Sequence, residues 1–440
     1  MSVVNATRRL LALTLLGGLL IALDLVGVAG TGVLGLTVII AILSIRVYAV
    51  LAQIALASCK VKVSHNGALE GRDVLVEYEV CNDSIIPIAF VELSLKYPWY
   101  LKLSKGTPGG ILAIPPRGCV NYRVSFTGRT GLHRIGPLRV VFRDPLGLYR
   151  GVELELGRVV EVKVRPVESE RLLRALLQTS RVMGTARSLR PGEGVEFYDV
   201  REYKPGDELR RVYWKALARG RLAVKEFESE SLTYTLLTLV LDESMLQGPY
   251  LETPFEHAAR IVSLIASLSS RRGDSLALLV IGSGALLSTR FRRGRHGYVS
   301  VLNAISSIDY ERFMLRQSPE IELLRGDKLR LAKYIKSMMP REKVNIVVLT
   351  PPSDKAISLA RNLSVLKALG CSINTFILVP QLHGLTRLKP FERAVYRLRV
   401  YDDLKRVYAK LRELRASGVN ATIVTPWDAP WKVIASIARV

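Results

Sequence analysis

Two long apolar runs come first in the chain. Residues 10–30 carry a single charge, Asp24, and residues 32–57 are interrupted only by Arg46. Each run approaches the roughly 20 residues that a helix needs to cross the hydrocarbon of a bilayer. No clean signal-peptide cleavage site separates the two runs. The pattern predicts a transmembrane helical hairpin over residues 1–58. Arg46 lies within the second run: either its side chain snorkels to the membrane surface, or the span ends near it and continues as an interfacial helix over residues 47–57.

Alternation with a period of two residues follows. Apolar and polar positions alternate over residues 74–80, 120–126 and 138–142, and turn pairs such as Asn82-Asp83 separate these runs. Several short alternating strands with regular turns are typical of an antiparallel sandwich. The pattern predicts an immunoglobulin-like β-sandwich over residues 59–166. His133, within this region, is interpreted as a surface or strand-end residue.

From residue 232 onward, apolar strand patterns alternate with helical patterns. Strands are predicted at 235–241, 274–281, 344–349, 373–379 and 421–424, and helices at 254–269, 298–308, 356–369 and 387–417, with a short helix after the last strand. Such alternation favours a mainly parallel sheet with helices on both faces. Residues 232–440 are therefore predicted to form an α/β domain, and the fold class is multidomain.

The segment over residues 167–231 joins these two parts. Residues 168–180 have helical spacing, and Pro205-Gly206-Asp207 predicts a turn. Asp207 is the expected N-cap of a helix over 208–218. Trp214 and Tyr203 are expected to anchor the segment against a neighbouring sheet. The segment is either an interdomain clasp of ion pairs or a surface that binds a partner or an anion. The residues considered for either role are Arg201, Tyr203, Asp207, Arg210, Trp214 and Arg219.

The order of residues in this segment resembles a known family. It reads Glu196-Phe197, Arg201-Glu202-Tyr203, Pro205-Gly206-Asp207, Arg210, Trp214 and Ala218-Arg219, preceded by Arg129, Gly131, His133, Gly136-Pro137 and Asp144-Pro145-Leu146-Gly147-Leu148. It is similar to the pattern of the domain-of-unknown-function 58 family. The resemblance implies a two-helix anchor, a β-domain and a C-terminal half like a von Willebrand factor A domain. It also implies a MoxR-type AAA+ ATPase as partner, remodelling or maturation of client proteins, and no established catalytic activity.

The von Willebrand A resemblance implies a metal site that can be checked on the residues. The fold holds Mg²⁺ with a D-x-S-x-S run after the first strand and an Asp after a later strand, because hard cations prefer oxygen ligands. Here Asp242 and Ser244 match, Leu246 replaces the second Ser, Pro351 stands at the later Asp position, and Asp354 is displaced. The site is degenerate, and no cofactor is predicted. Asp242 is alternatively a cap for the segment that follows it.

Charge and cysteine content narrow the function classes. The net charge of +24 indicates an Arg-rich solvated surface or attraction to anionic lipids. Nucleic acid is not predicted, because no zinc-knuckle, RNP-type or basic heptad pattern occurs. The four cysteines form no CxxC pair and are interpreted as buried free thiols. A Cys81–Cys119 bridge would require an oxidising space. Low Asn and Gln usage with many Arg and Glu is typical of heat-loving prokaryotes.

No enzyme pattern occurs in a suitable context. Gly282-Ser283-Gly284 lacks the Lys and hydroxyl of a phosphate-binding loop, and none of the five histidines has a recognisable nucleophile partner. The chain is therefore predicted to be a non-enzymatic membrane-anchored scaffold or adaptor for a MoxR-type ATPase, with its client unidentified. The alternative is a Mg²⁺-dependent von Willebrand A-type adhesion module. A hydrolase of undefined type ranks third.

Flanking charges predict the orientation of the anchor. Arg8 and Arg9 precede the first apolar run, Lys60, Lys62 and Arg72 follow the second, and the turn between the runs has neither Lys nor Arg. Under the positive-inside rule both ends of the hairpin lie in the cytoplasm. The localisation predicted is the cell membrane, with the soluble domains facing the cytoplasm.

Overall fold

The computed structural model describes residues 4–167, 191–217, 220–228, 234–340 and 343–426. The predicted helix over 168–180, the predicted C-terminal helix and Arg219 lie outside the described residues. The chain divides into two units, Met1–Arg165 and Pro166–Val440. Each is described by itself below.

Two antiparallel helices, α1 (Arg8–Leu25) and α2 (Thr31–Ala57), form the N-terminal part of the first unit. They pack closely where glycines meet, because a Cβ at Gly35 would come within 2.6 Å of the carbonyl oxygen of Gly17. Of the helices described, α2 alone is long and apolar enough to cross a membrane. Judged by helix length and apolar composition, the prediction of two spanning helices is therefore wrong. The 18 residues of α1 include Arg8, Arg9 and Asp24, which leaves too short an apolar stretch.

The rest of the first unit is β-structure, as predicted. Its strands are β1 (Val4–Ala6), β2 (Lys60–His65), β3 (Ala68–Leu69), β4 (Asp73–Asn82), β5 (Ile88–Leu95), β6 (Leu103–Lys105), β7 (Gly109–Ile114), β8 (Gly118–Thr127), β9 (Gly131–Ile135), β10 (Leu138–Arg143), β11 (Tyr149–Gly151), β12 (Leu154–Leu156) and β13 (Val160–Arg165). They form sheets of six, four and three strands, antiparallel except for the short β3–β13 pair. Alternating burial along β4 and β13 matches the alternating sequence.

The helical hairpin starts and ends in this β-structure. β1, which leads into α1, pairs with β11, and α2 runs directly into β2. The second half of α2 lies against the strands: Tyr48 Oη donates to the carbonyl oxygen of Pro87 at 3.0 Å, and Gln53 Nε2 donates to that of Val152 at 3.1 Å. The helix is continuous past Arg46, as both alternatives for that residue allow.

A disulfide links β4 and β8. Cys81 and Cys119 are directly opposite in the antiparallel register and are bonded to each other. The interpretation of all four cysteines as free thiols is therefore wrong for this pair. Cys59 and Cys371 are free, and Cys371 is buried.

The second unit begins with a two-stranded ribbon and continues as an α/β domain. Its strands are β14 (Pro191–Glu202), β15 (Ala223–Glu228), β16 (Tyr234–Val240), β17 (Ser275–Ile281), β18 (Leu286–Ser288), β19 (Arg292–Arg293), β20 (Val344–Thr350), β21 (Ser372–Leu378) and β22 (Asn420–Val424). Its helices are α3 (Trp214–Leu217), α4 (Pro254–Arg272), α5 (Gly294–Ser306), α6 (Pro319–Gly326), α7 (Lys328–Met338), α8 (Asp354–Leu363), α9 (Pro380–His383) and α10 (Pro390–Ala416).

The large sheet of this unit has the order β18-β17-β16-β20-β21-β22, with β19 also paired to β17. The five strands from β17 to β22 in this order are parallel, and the short strands β18 and β19 are antiparallel to β17. Every residue of β17 and β20 is buried, as expected for a sheet covered on both faces. The predicted α/β class with a mainly parallel sheet is confirmed.

Candidate functional site: the Arg201–Asp207 turn and the edge of the parallel sheet

An ion pair closes the end of the β14–β15 ribbon. In the register of the two strands, Arg201 faces Val224 and Glu202 faces Ala223. The Arg201 guanidinium donates from Nη1 to Asp207 Oδ2 and from Nη2 to Asp207 Oδ1, both at 2.7 Å. Such a bidentate pair fixes the orientation of both side chains. The structure thus brings together two of the residues predicted as a site.

The turn between them has the geometry that Pro-Gly favours. Gly206 has φ +109°, a region that glycine enters without steric cost. Lys204 N donates to Asp207 Oδ2 at 2.8 Å, so the carboxylate also holds the backbone of the turn. These hydrogen bonds, with that from Arg201 foremost, lower the pKa of Asp207 to about 2. Asp207 is ionised throughout the physiological range.

The predicted helix over 208–218 is wrong. The segment is a 3-10 turn at Leu209–Arg211, a β-bridge from Val212 to Val224, and the single helical turn α3. Tyr213 N donates to the carbonyl oxygen of Ala223 at 2.8 Å, which keeps this stretch extended beside the ribbon. Asp207 therefore stabilises a turn instead of capping a long helix.

Trp214 is the most conspicuous side chain of this region, because 62% of its surface is exposed. The prediction that it anchors the segment against a sheet is wrong. The neighbouring Tyr213 is held to the ribbon by a cation–π contact, in which Lys225 Nζ lies 5.3 Å from the centre of the Tyr213 ring. Arg210, Lys215 and Leu222 are also exposed. We call the set Trp214, Arg210, Lys215 and Leu222 the Trp214 surface.

Tyr203 contributes to this region through a hydrogen bond of its backbone N–H. Its N–H donates to the carbonyl oxygen of Leu222 at 3.0 Å, and its side chain is half-buried. Arg210 is not drawn into the Arg201–Asp207 pair. The neighbouring Arg211 instead pairs with Glu208, at 3.2 Å.

At the carboxyl edge of the parallel sheet, Asp242 receives three hydrogen bonds. Its Oδ1 accepts from Ser244 N at 3.0 Å and from Ser244 Oγ at 2.5 Å, and its Oδ2 accepts from Ser353 Oγ. Asp242 thereby caps the 3-10 turn Glu243–Leu246. The carboxylate joins the segments that follow β16 and β20, an arrangement the sequence did not predict.

These residues are a poor fit for Mg²⁺. They supply one carboxylate and two hydroxyls, whereas a hard divalent cation takes six or more oxygen ligands, commonly from several carboxylates. Asp354, which could add a second carboxylate, pairs with Lys410 at 2.7 Å. Leu246 offers no side-chain ligand.

Comparison with known proteins places this region in a family. Residues 199–358 match the family model described as "Protein of unknown function DUF58". Residues 199–358 of the chain are thus a DUF58 region. The matched region contains the Arg201–Asp207 turn, Trp214 and the Asp242–Ser353 contact, so the DUF58 pattern coincides with the site described above.

Other comparisons add little to the DUF58 assignment. No curated protein matches the chain. Among solved structures, a non-cellulosomal cohesin from the hyperthermophilic archaeon Archaeoglobus fulgidus is 14% identical, with a TM-score of 0.17; the match covers 26% of this chain and 97% of the cohesin. A family two carbohydrate esterase from Cellvibrio japonicus is 7% identical, with a TM-score of 0.18; the match covers 73% of this chain and 89% of the esterase. Neither similarity supports a conclusion about fold or function.

The α/β domain also contains a histidine pair that the sequence did not predict. The rings of His257, in α4, and His383, in α9, lie 5.1 Å apart at a steep angle. Burial lowers the pKa of His257 to about 3 and that of His383 to about 4. Both are neutral at physiological pH. The two residues come from helices far apart in sequence, so no local pattern signals their contact.

Proposed function

We propose that this protein, which contains a DUF58 region, is a non-enzymatic, membrane-anchored adaptor that binds a partner protein at the Trp214 surface. The exposed Trp214 carries the proposal. Trp and Arg dominate the binding energy of protein interfaces, and a large ring in water has a cost that partner burial removes. The partner we propose, on the family resemblance, is a MoxR-type AAA+ ATPase that remodels or matures client proteins.

The local structure supports a docking role for this surface. The Arg201–Asp207 pair, the Gly206 turn and the Val212–Val224 bridge are satisfied within the ribbon itself. Trp214 is therefore presented from a backbone that is already ordered. Preorganisation of this kind lowers the entropy lost on binding.

The first unit supports the anchor. The hairpin of α1 and α2 is joined to the β-structure at both ends, through β1 and β2. We propose that α2, packed along α1, inserts in the membrane. We propose that the β-structure lies in the cytoplasm, and the support for this is Lys60 and Lys62, which directly follow α2, under the positive-inside rule. We further propose an immunoglobulin-like form for the β-structure and a von Willebrand A-like form for the α/β domain.

Binding of the purified full-length chain to the MoxR-type ATPase of the same organism tests the proposal, with ATP and then with ADP. We expect Trp214→Ala to weaken the affinity at least about 30-fold, as for an interface hot spot. Trp99→Ala is the matched control, because Trp99 is 73% exposed on the other unit. Equal affinity of the Trp214→Ala variant and the native chain would remove the Trp214 surface from the interface.

The alternative function is a Mg²⁺-dependent binding module. It is favoured by one observation, the convergence of Asp242, Ser244 and Ser353 at the sheet edge. A rise in the melting temperature with Mg²⁺, absent in Asp242→Asn, would support this alternative over the adaptor.

A further inference from the structure

Besides Arg293, five exposed arginines surround one end of the α/β domain. Two of them end α4 and three lie in the segment that leads through β19 into α5: Arg271, Arg272, Arg290, Arg292 and Arg295. The strand register brings the two groups together, because Arg293 pairs with Ser275 and its Nε donates to the carbonyl oxygen of Gly273 at 3.0 Å. We call these five residues the arginine patch.

None of the five side chains of the patch makes an ion pair with a carboxylate in the described ranges of the chain, although Asp274 lies between the two groups of the patch, where the Asp274 carbonyl oxygen accepts from Gly294 N at 3.0 Å. Elsewhere in this unit exposed cations do pair, as Arg316 with Glu311 at 2.6 Å and Lys355 with Glu322 at 2.6 Å. Unpaired like charges repel each other, so this concentration of arginines raises the free energy of the unbound protein, and a bound anion lowers it.

A shallow cleft of about 560 Å³ opens within the patch. It is lined by Arg292, Arg295, His296, Val299, Ser300 and Asn303. The lining offers hydrogen-bond donors and no carboxylate. The first turn of α5 beside it contains no acidic residue and has no side-chain cap, so the positive end of the helix dipole adds to the same potential.

We infer that the arginine patch binds the phosphate groups of anionic lipids and so holds the α/β domain against the membrane. Stacking of nucleic-acid bases requires exposed aromatic rings, whereas Phe291 packs edge-on against Tyr234, with 5.8 Å between ring centres. A protein interface requires an apolar centre, and the cleft presents Val299 alone as an apolar lining residue. A lipid surface requires only charge and donors, at about fivefold in affinity per arginine.

The inference rests on the proposed membrane anchor, and one preparation tests both. The full-length chain, with Cys59→Ser and Cys371→Ala, is labelled with a fluorophore at Val299→Cys and reconstituted in lipid nanodiscs. Energy transfer to a headgroup-labelled lipid reports how close the patch lies to the bilayer. The discs contain either phosphatidylcholine alone or about one third phosphatidylglycerol.

We expect strong transfer in the anionic discs, at least about twofold weaker transfer in neutral discs, and loss of the difference at about 0.5 M salt. Charge reversal at Arg271, Arg272, Arg292 and Arg295 to Glu abolishes the difference. The matched control reverses Lys333, Lys336, Lys405 and Arg412, which are exposed and lack an ion pair within the described chain, and it retains the difference.

Equal transfer in the two kinds of disc would overturn the inference while leaving the anchor intact. Failure of the chain to enter discs at all would instead refute the anchor. Inorganic phosphate is titrated separately: saturable binding lost on the patch reversal would assign the cleft to free phosphate and overturn the lipid assignment. A short oligonucleotide is added last, at a charge concentration equal to that of the anionic lipid. If it abolishes the energy transfer, the patch prefers nucleic acid and the lipid assignment is overturned.

Discussion

His133 shows how a single residue of the family pattern serves the fold. The interpretation of it as a surface or strand-end residue is wrong: it is buried in the middle of β9, and its Nε2 bonds the carbonyl oxygen of Arg129. Burial lowers its pKa to about 4. Close by, Thr130 Oγ1 donates to Glu70 Oε2 at 3.1 Å. Because Glu70 and Thr130 are 60 residues apart in the chain, the sequence shows the family motif around His133 but does not show that its residues are buried together.

The residues of the candidate site were foreseen unevenly. The interpretation of the segment as a clasp of ion pairs anticipated that arginines would pair with carboxylates, but it did not specify that Arg201 pairs with Asp207 across the turn. The exposure of Trp214 was not foreseeable in this way. Large aromatic rings are usually buried, and only the extended stretch at Val212 turns this one outward. Tertiary pairing with β15 overrode the helical spacing of 208–218.

The histidine pair makes stability depend on pH. The folded pKa values of His257 and His383, about 3 and about 4, lie below the unfolded value of about 6.5. As the pH falls, the unfolded chain therefore binds protons first. The contribution of the pair to stability is present above pH 6.5 and is lost as the pH falls toward the folded values.

Between pH 7 and pH 5 we expect the pair to account for a loss of about 2–4 kcal/mol in the free energy of unfolding. Urea titrations at several pH values measure it. The His257→Gln, His383→Gln double variant should show a flatter pH dependence than the native chain. The same slope in both proteins would show that other groups are responsible.

At the scale of elements, α10 carries two apolar stripes on opposite sides. At about 100° per residue, Val407, Leu411 and Leu414 lie on one side, where they pack with Ile357 and Ile423 in a buried cluster. Phe391, Val395 and Leu398 lie on the other side and are exposed. The helical spacing of 387–417 predicted the helix correctly, but periodicity alone did not show that its two halves present different faces.

Two leucines of α10 give a matched test of this arrangement. Leu411→Ala should lower the free energy of unfolding by about 2–5 kcal/mol, because it opens a cavity in the cluster. Leu398, with 79% of its surface exposed, should tolerate alanine within about 0.5 kcal/mol. Chemical denaturation measures both. A comparable loss in the two variants would mean that the exposed stripe is covered in solution.

Strands were predicted better than connections. Period-two alternation and buried apolar runs located β4, β8, β10 and the five parallel strands, because those residues have one environment along their whole length. The helices α6 and α7 and the ribbon of β14 and β15 were not predicted. Their sequences are short and rich in charge. They are held by tertiary packing, which the sequence pattern does not reveal.

At the scale of the whole molecule, the disulfide bears on the predicted orientation. Disulfides are typical of oxidising compartments, and intracellular proteins of hyperthermophiles are the exception. The Arg-rich, Asn-poor composition favours a heat-loving source, which reconciles the Cys81–Cys119 bond with the cytoplasmic side predicted from Arg8, Arg9, Lys60 and Lys62.

Loss of the bridge should be measurable. It closes a loop with a sequence separation of 38 residues, so Cys81→Ser with Cys119→Ser should lower the free energy of unfolding by about 2–4 kcal/mol. Thermal denaturation with and without reductant checks this. The native chain should be sensitive to the reductant and the double variant insensitive, and no shift in either would show that the bond is not formed in solution.

The proposed adaptor role requires that a partner ATPase contacts Trp214. Photocrosslinking in the native host tests it most directly, with p-benzoylphenylalanine in place of Trp214 in one strain and of Trp99 in another, followed by mass spectrometry of the adducts. We predict an adduct with a MoxR-type ATPase from position 214 and none from position 99. Absence of the ATPase from the position 214 adducts, or its equal capture from both positions, would contradict the account.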